Sequence, residues 1–335
     1  LSAVLTDGWG DADNVAVDHL IAFKGQLYAG TWNEADGGQI WRSATGDPDD
    51  WQPVVTGGLG DVHNSQVFRL AVFDNQLYAA TWNPTTGGEL WRSASGDSGT
   101  WTAVITGGLG DAANKVLVSL VAFDGYLYAG TDNPGGGAQV WRSLTGDAGS
   151  WVRVGDGGLG NVDNWSITLA PFDGYLYAGT YNYGGVGDPG AELWRCQDCD
   201  GTDWAPVSIA QGWGDAENRA IRSLAVFAQA LYALTCNRAT GMEVWRTVDG
   251  ATWTQVGPDG LGDSNNGSPY WDNSTVIFDD HLLVGTENPA HGGEMWQSEL
   301  QQARANFTAS ITQGVAPLTV TFANRSTGDY DACLW

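Results

Sequence analysis

The sequence predicts an all-β chain, a six-bladed β-propeller closed by its own first strand. Three observations carry that expectation. A unit of about fifty residues recurs six times. Each unit holds four short apolar runs separated by tight-turn signals. The last unit lacks the one strand that residues 1–6 would supply.

The repeat reads GLGDxxN, then VxxLxxF, a DG-like pair, LYAGTxN, a glycine-rich stretch, ELWRS, GDxGxW and xxV. Its marker tryptophan falls at Trp41, Trp91, Trp141, Trp194, Trp245 and Trp296, with spacings of 50, 50, 53, 51 and 51 residues. In the second unit the apolar runs are Val67–Phe73, Gln76–Thr81, Glu89–Ser93 and Trp101–Thr106. Asp74-Asn75, Asp124-Gly125 and Asp173-Gly174 join the first two runs of their units as type I′ hairpin signals. Four antiparallel strands every fifty residues, with no helical periodicity, describe a propeller blade. Residues 1–6, LSAVLT, align with WTAVIT at Trp101–Thr106, so they form an orphan fourth strand. Joined to the last unit, they close the ring and remove the exposed sheet edges. The propeller is expected over residues 1–299.

Composition narrows the function. The 335 residues include 48 Gly and 18 Trp, only 16% are charged, and the net charge is −25. A surface this acidic repels nucleic acid and anionic lipid. No apolar run is long enough for a membrane span. The expected location is extracellular or at the cell surface. Of four cysteines, Cys196 and Cys199 lie in a WRCQDCDG turn and are expected to form a local disulfide, because a lone CxxC cannot fill a tetrahedral zinc site. The arginine that recurs at Arg42, Arg92, Arg142, Arg195 and Arg246 is expected to bond one blade to the next.

Strand order places the GxGDxxN loops and the TxN loops on one face. The recurring Asp and Asn there are expected to stabilise turns. A weaker alternative is a metal site at Asp11, Asp13 and Asn14, where calcium would find oxygen ligands; otherwise no cofactor is expected. The residue within TxN varies from unit to unit, as Trp32, Trp82, Asp132, Tyr181, Cys236 and Glu287. Varying loop residues on a repeated scaffold are where binding sits. Trp32, Trp82 and Tyr181 offer flat faces for sugars. Asp132 and Glu287 are the carboxylates that a glycosidase or lyase would use. Five N-glycosylation sequons start at Asn164, Asn266, Asn273, Asn306 and Asn324.

The turn SASGDSGTW and its relative at 247–253 resemble the Asp-box hairpin of sialidase-like propellers. In that family the hairpin is structural, so the resemblance implies fold rather than activity. Activity there requires an arginine triad, a Tyr–Glu nucleophile pair and an acid Asp, a set that cannot be assembled from this sequence. After a short linker at 300–304, residues 305–335 resemble the first third of a PKD domain, through APLTVTF and NRSTGDYDACLW. The family's following Asp-Phe-Gly-Asp-Gly turn is absent. The resemblance implies a partial immunoglobulin-like sandwich and further PKD-like domains in a longer surface protein. The main expectation is therefore a non-enzymatic surface module for adhesion or assembly, glycosylated, with surface polysaccharide or neighbouring copies as partners. A lectin-like propeller and a polysaccharide-degrading glycosidase or lyase are the alternatives.

Overall fold

In a computed structural model, residues 7–183, 190–207, 209–267, 275–278 and 281–298 are described, with the backbone of 307–309 and 322–324. The molecule is all β; its helical residues, among those described, are single 3-10 turns. The first unit runs Ala16–Phe23, Gln26–Trp32, Ile40–Ser43 and Gln52–Val55, each strand antiparallel to the one before. Equivalent four-stranded units begin at Gln66, Val116, Asn164 and Ala220. A sixth shows three strands among the described residues, Thr275–Phe278, His281–Gly285 and Met295–Gln297. Residues 1–6 and the linker at 300–304 lie outside the described residues. In the C-terminal segment, Phe307–Ala309 pairs antiparallel with Phe322–Asn324.

Local chemistry explains the hairpins. Asp74 and Asn75 both take positive φ, 45° and 56°, as a type I′ turn requires. Ala228 and Gln229 make the same turn at 47° and 55°, without the Gly or Asn that eases it. The first strands of successive units lie side by side. Between units the sheets share apolar layers. Leu90, Leu117, Leu120 and Leu127 join the second unit to the third, and Trp141 packs against them. Fully burying each leucine contributes about 1.5–3 kcal/mol.

The recurring arginine reaches outward to the next unit. Arg42 pairs with Asp97, Arg92 with Asp147 at 2.6 Å, and Arg142 donates to the Asp198 carbonyl at 2.7 Å. Gly96 is required by this contact: a Cβ there would collide with the Tyr28 hydroxyl of the preceding unit. Cys196 and Cys199 are disulfide-bonded within the equivalent turn of the fourth unit.

Candidate functional site

A buried amide holds each loop of the GxGDxxN face. In the second unit, Asn64 Nδ2 donates to the Gly58 carbonyl at 2.9 Å and to Glu89 Oε2 at 2.7 Å. Its Oδ1 accepts from Thr81 Oγ1 and Asn83 Nδ2. Trp91 Nε1 donates to the same Glu89 oxygen. The loop, the TxN turn and the marker tryptophan are thereby tied together. In the first unit Asp11 accepts from Asp13 N, Asn33 Nδ2 and Gln39 Nε2. Asn14 Oδ1 accepts from Thr31 and Asn33.

These contacts bear on two expectations. Asp11 and Asn14 direct their oxygens at protein donors, and Asp13 joins them through its backbone N–H, so the hydrogen bonds they make serve loop architecture. Among the described residues no group of three or more His, Cys, Asp or Glu side chains is arranged to hold a metal. Asn164 and Asn266 hold the same buried position as Asn64. Their amides donate to the Gly158 and Gly260 carbonyls and to Glu192 and Glu294. Both side chains are fully buried, so these sequons cannot take a glycan in the fold. Asn273, Asn306 and the side chain of Asn324 lie outside the described residues.

A β-bulge turns the first strand toward a different task. Register shifts fall between Val17 and His19, Val67 and Arg69, and Ile221 and Ser223. In the third unit Leu117 and Ser119 likewise flank an unpaired Val118. The extra residues are thus Asp18, Phe68, Val118 and Arg222. A bulge re-aims a side chain out of the regular alternation. Phe68, Val118 and Arg222 do meet, in one depression that Arg69, Ser166 and Tyr181 also line. Four consecutive units contribute to it, which only the convergence of first strands permits.

The depression is cationic and aromatic. Arg69 Nε donates to the Val118 carbonyl at 2.8 Å, across to the next unit. The Arg222 guanidinium lies over the Tyr181 ring, 4.1 Å from its centroid. His19 stands near Arg69; burial first, and that charge second, push its imidazole down to about 3. Asp132 ends the second strand of the third unit, opposite Ser166. Burial pushes its carboxyl up to about 6, against the opposing pull of Arg222 and Lys115.

The predicted residues spread around this centre. Trp32 and Trp82 meet edge to face with centroids 6.2 Å apart, beside Phe68. Tyr181 borders a second depression with Glu217, Arg219, Arg222 and Arg238. Glu287 lies one depression further, with Cys236 and Arg238. It is exposed, and no described depression contains both it and Asp132. Of the residues singled out from the sequence, Trp32, Trp82 and Tyr181 line these depressions and Asp132 lies beside one of them, opposite Ser166, while Arg69, Glu217 and Arg222 were not singled out. The signal was present: the two unspecified positions of VxxLxxF vary as strongly as the one in TxN, reading Asp18-His19, Phe68-Arg69, Val118-Ser119 and Arg222-Ser223.

No protein-family model and no curated protein matches the sequence. Solved structures match the fold. Trypanosoma rangeli sialidase in complex with 2,3-difluoro-KDN is 15% identical with a TM-score of 0.53, over 84% of this chain and 53% of that one. The same sialidase as its covalent intermediate with 2,3-difluorosialic acid is 14% identical with a TM-score of 0.51, over 84% and 54%. A prolyl endopeptidase is 12% identical with a TM-score of 0.50, over 88% and 44%. The chain spans about half the length of these proteins. The expectation of a non-enzymatic module for adhesion or assembly is corrected here: the sialidase and prolyl endopeptidase structures named above, which share this fold, are enzymes. Among the described residues no helix is long and apolar enough to cross a membrane. At the level of fold, the chain is a β-propeller similar to that of the sialidases.

Proposed function

We propose that this propeller is a glycoside hydrolase of the sialidase-like type, acting on a glycan that carries carboxylates. The observation that carries the reading is Asp132. Its buried carboxyl, raised to about 6, keeps its proton in mildly acid solution beside a depression lined by two arginines. A glycosidase needs such a proton for the departing oxygen, and a pKa near the working pH serves best. The arginines suit a substrate carboxylate, which a planar guanidinium binds through two parallel hydrogen bonds. The inner depression has no acidic residue in its described lining, although the chain as a whole carries −25.

Tyr181 is our candidate nucleophile and Glu217 its base, since both border the same depression as Arg222. Tyr181 Oη would attack the anomeric carbon and pass its proton to Glu217. The bond to the leaving oxygen would break as Asp132 supplies that oxygen with a proton. Water would then attack the anomeric carbon with Asp132 accepting its proton, the bond to the Tyr181 oxygen would break, and Glu217 would return its proton to that oxygen. Arg69, Arg222 and Arg238 would stand in the arginine roles of the resembled family.

The ring is proposed to have six blades, closed by residues 1–6 over a propeller of 1–299, with a PKD-like segment at 305–335 and an extracellular location. The disulfide at Cys196–Cys199 fits an oxidising compartment. The test is release of reducing sugar from a panel of sialylated and uronic-acid glycans. Turnover that vanishes in Asp132→Asn supports the reading. No turnover of any glycan in the panel by the wild-type chain rejects it.

A further inference from the structure

We infer that the ring yields first at one place, the joint between the sixth unit and the first, where two apolar walls meet without the tyrosine that locks the other five joints. The inference rests on the six-unit ring proposed above and is independent of the glycan-cleaving reading. The five joints are built alike. Between the first unit and the second, Tyr28 and Ile40 pack against Val67, Leu70 and Leu77, and the fourth-strand residues Val54 and Val55 complete the cluster. A tyrosine at the same place enters each of the other four clusters, as Tyr78, Tyr128, Tyr177 and Tyr232. Tyr28 Oη also donates across the joint to the Ser95 carbonyl at 3.3 Å. Tyr78 and Tyr177 stand against Gly146 and Gly250 as Tyr28 stands against Gly96.

The sixth joint has the walls and lacks the lock. Val17, Leu20 and Leu27 hold in the first unit the places of Val67, Leu70 and Leu77. They are 42%, 59% and 36% exposed, against 0%, 3% and 0%. On the sixth unit Val276 and Met295 hold the places of Ile21 and Ile40, and they are 57% and 67% exposed. The tyrosine's place is taken by Leu283, which pairs with Gln297 as Tyr28 pairs with Arg42. A Cβ on Gly46 would meet Leu27 of its own unit, where one on Gly96 meets the tyrosine of the preceding unit.

The other joints say what covers the first unit's wall. It is the facing wall of the preceding unit with its fourth strand, and Val4 and Leu5 align with Val54 and Val55. Residues 1–6, as the fourth strand of the sixth unit, cover this wall together with Val276 and Met295. A second copy is the poorer occupant, because two chains of charge −25 repel each other. Apolar contact is non-directional and scales with area. A joint held by area alone parts before joints that also bury a tyrosine across them. The wall strand, Ala16–Phe23, carries Asp18 and His19 at its bulge, so the joint that yields first borders the mouth.

Native-state hydrogen exchange of the full chain tests this. Ala16–Phe23 and Gln66–Phe73 make the same hydrogen bonds within their units and differ in what covers their walls. Exchange in 16–23 should be at least about tenfold faster than in 66–73. Deleting residues 1–6 should speed 16–23 further and leave 116–123 unchanged. Leu283→Tyr should slow 16–23 by about three- to tenfold, the worth of one added buried contact. Equal rates in the two wild-type strands would overturn the inference. So would a deletion without effect on 16–23, or a Leu283→Tyr chain that exchanges there like the wild type. Slower exchange of 16–23 at higher protein concentration would give the wall to a second copy and overturn its assignment to residues 1–6. No turnover is read, so a protein that cleaves no glycan leaves these outcomes unchanged.

Discussion

Asn64, Asn114 and Asn218 do one job in three units, whereas Phe68, Val118 and Arg222, a few residues downstream, do three different ones. Each asparagine donates to a glycine carbonyl six residues back and to a Gln or Glu twenty-five residues on. The bulge residues share a backbone distortion and nothing else. The difference separates a frame from a site. The frame satisfies buried polar groups, and the same backbone has the same groups in every unit. The site lies where the units converge, so equivalent positions face one another, and making them alike would serve no ligand.

The largest expected effect breaks the site alone. Asp132→Asn should lower turnover by about 10²–10⁴-fold, the usual share of a general acid. The same change should strengthen the fold. The native carboxyl keeps its proton up to about pH 6, whereas an unfolded aspartate loses it at about pH 4. Between those values the native state holds the extra proton, so wild-type stability should fall as pH rises, then level off. At pH 7 the variant should be more stable by on the order of 2–3 kcal/mol, read from urea midpoints at several pH values. A variant that loses both activity and stability would place Asp132 in the frame instead.

The next effect breaks the frame. Asn64→Ala removes two donated and two accepted hydrogen bonds from a fully buried position. It should cost about 2–4 kcal/mol in denaturant unfolding, because its partners remain buried. Peptide mapping of secreted material should find Asn164 and Asn266 without glycan; a glycan at either would contradict their place in the frame.

A smaller change sharpens the site. Arg222 holds the Asp132 carboxyl down. Arg222→Ala should therefore move it up, and the pH at which stability levels should rise with it. The smallest effect belongs to the outer rim. Arg42→Ala should leave the unfolding midpoint where it is, since Asp97 is 56% exposed and water screens the pair.

Much of the frame was readable from the chain. The Asp74-Asn75 turn, the Arg42 contact to the next unit and the Cys196–Cys199 pairing are local or periodic, and periodicity survives in a string of letters. The site was half readable. Trp32, Trp82, Asp132 and Tyr181 stand out because TxN repeats and its middle residue does not. Phe68, Arg69 and Arg222 sit inside a strand pattern that looks like core, and only a bulge carries them to the mouth. Asn164 and Asn266 failed in the opposite direction. A sequon is three residues long, and those residues do not record that the amide faces inward.

The sequence by itself determined the sheets, their order and the turns between them, because hydrogen-bonded hairpins follow from alternation, turn residues and a fifty-residue period. Only the tertiary structure decided which varying side chains meet. Convergence at the axis is a property of the ring, and Arg69, Asp132, Tyr181 and Arg222 come from four units with no short path between them along the chain. The raised carboxyl of Asp132 follows from burial at a position paired with Ser166 of the next unit.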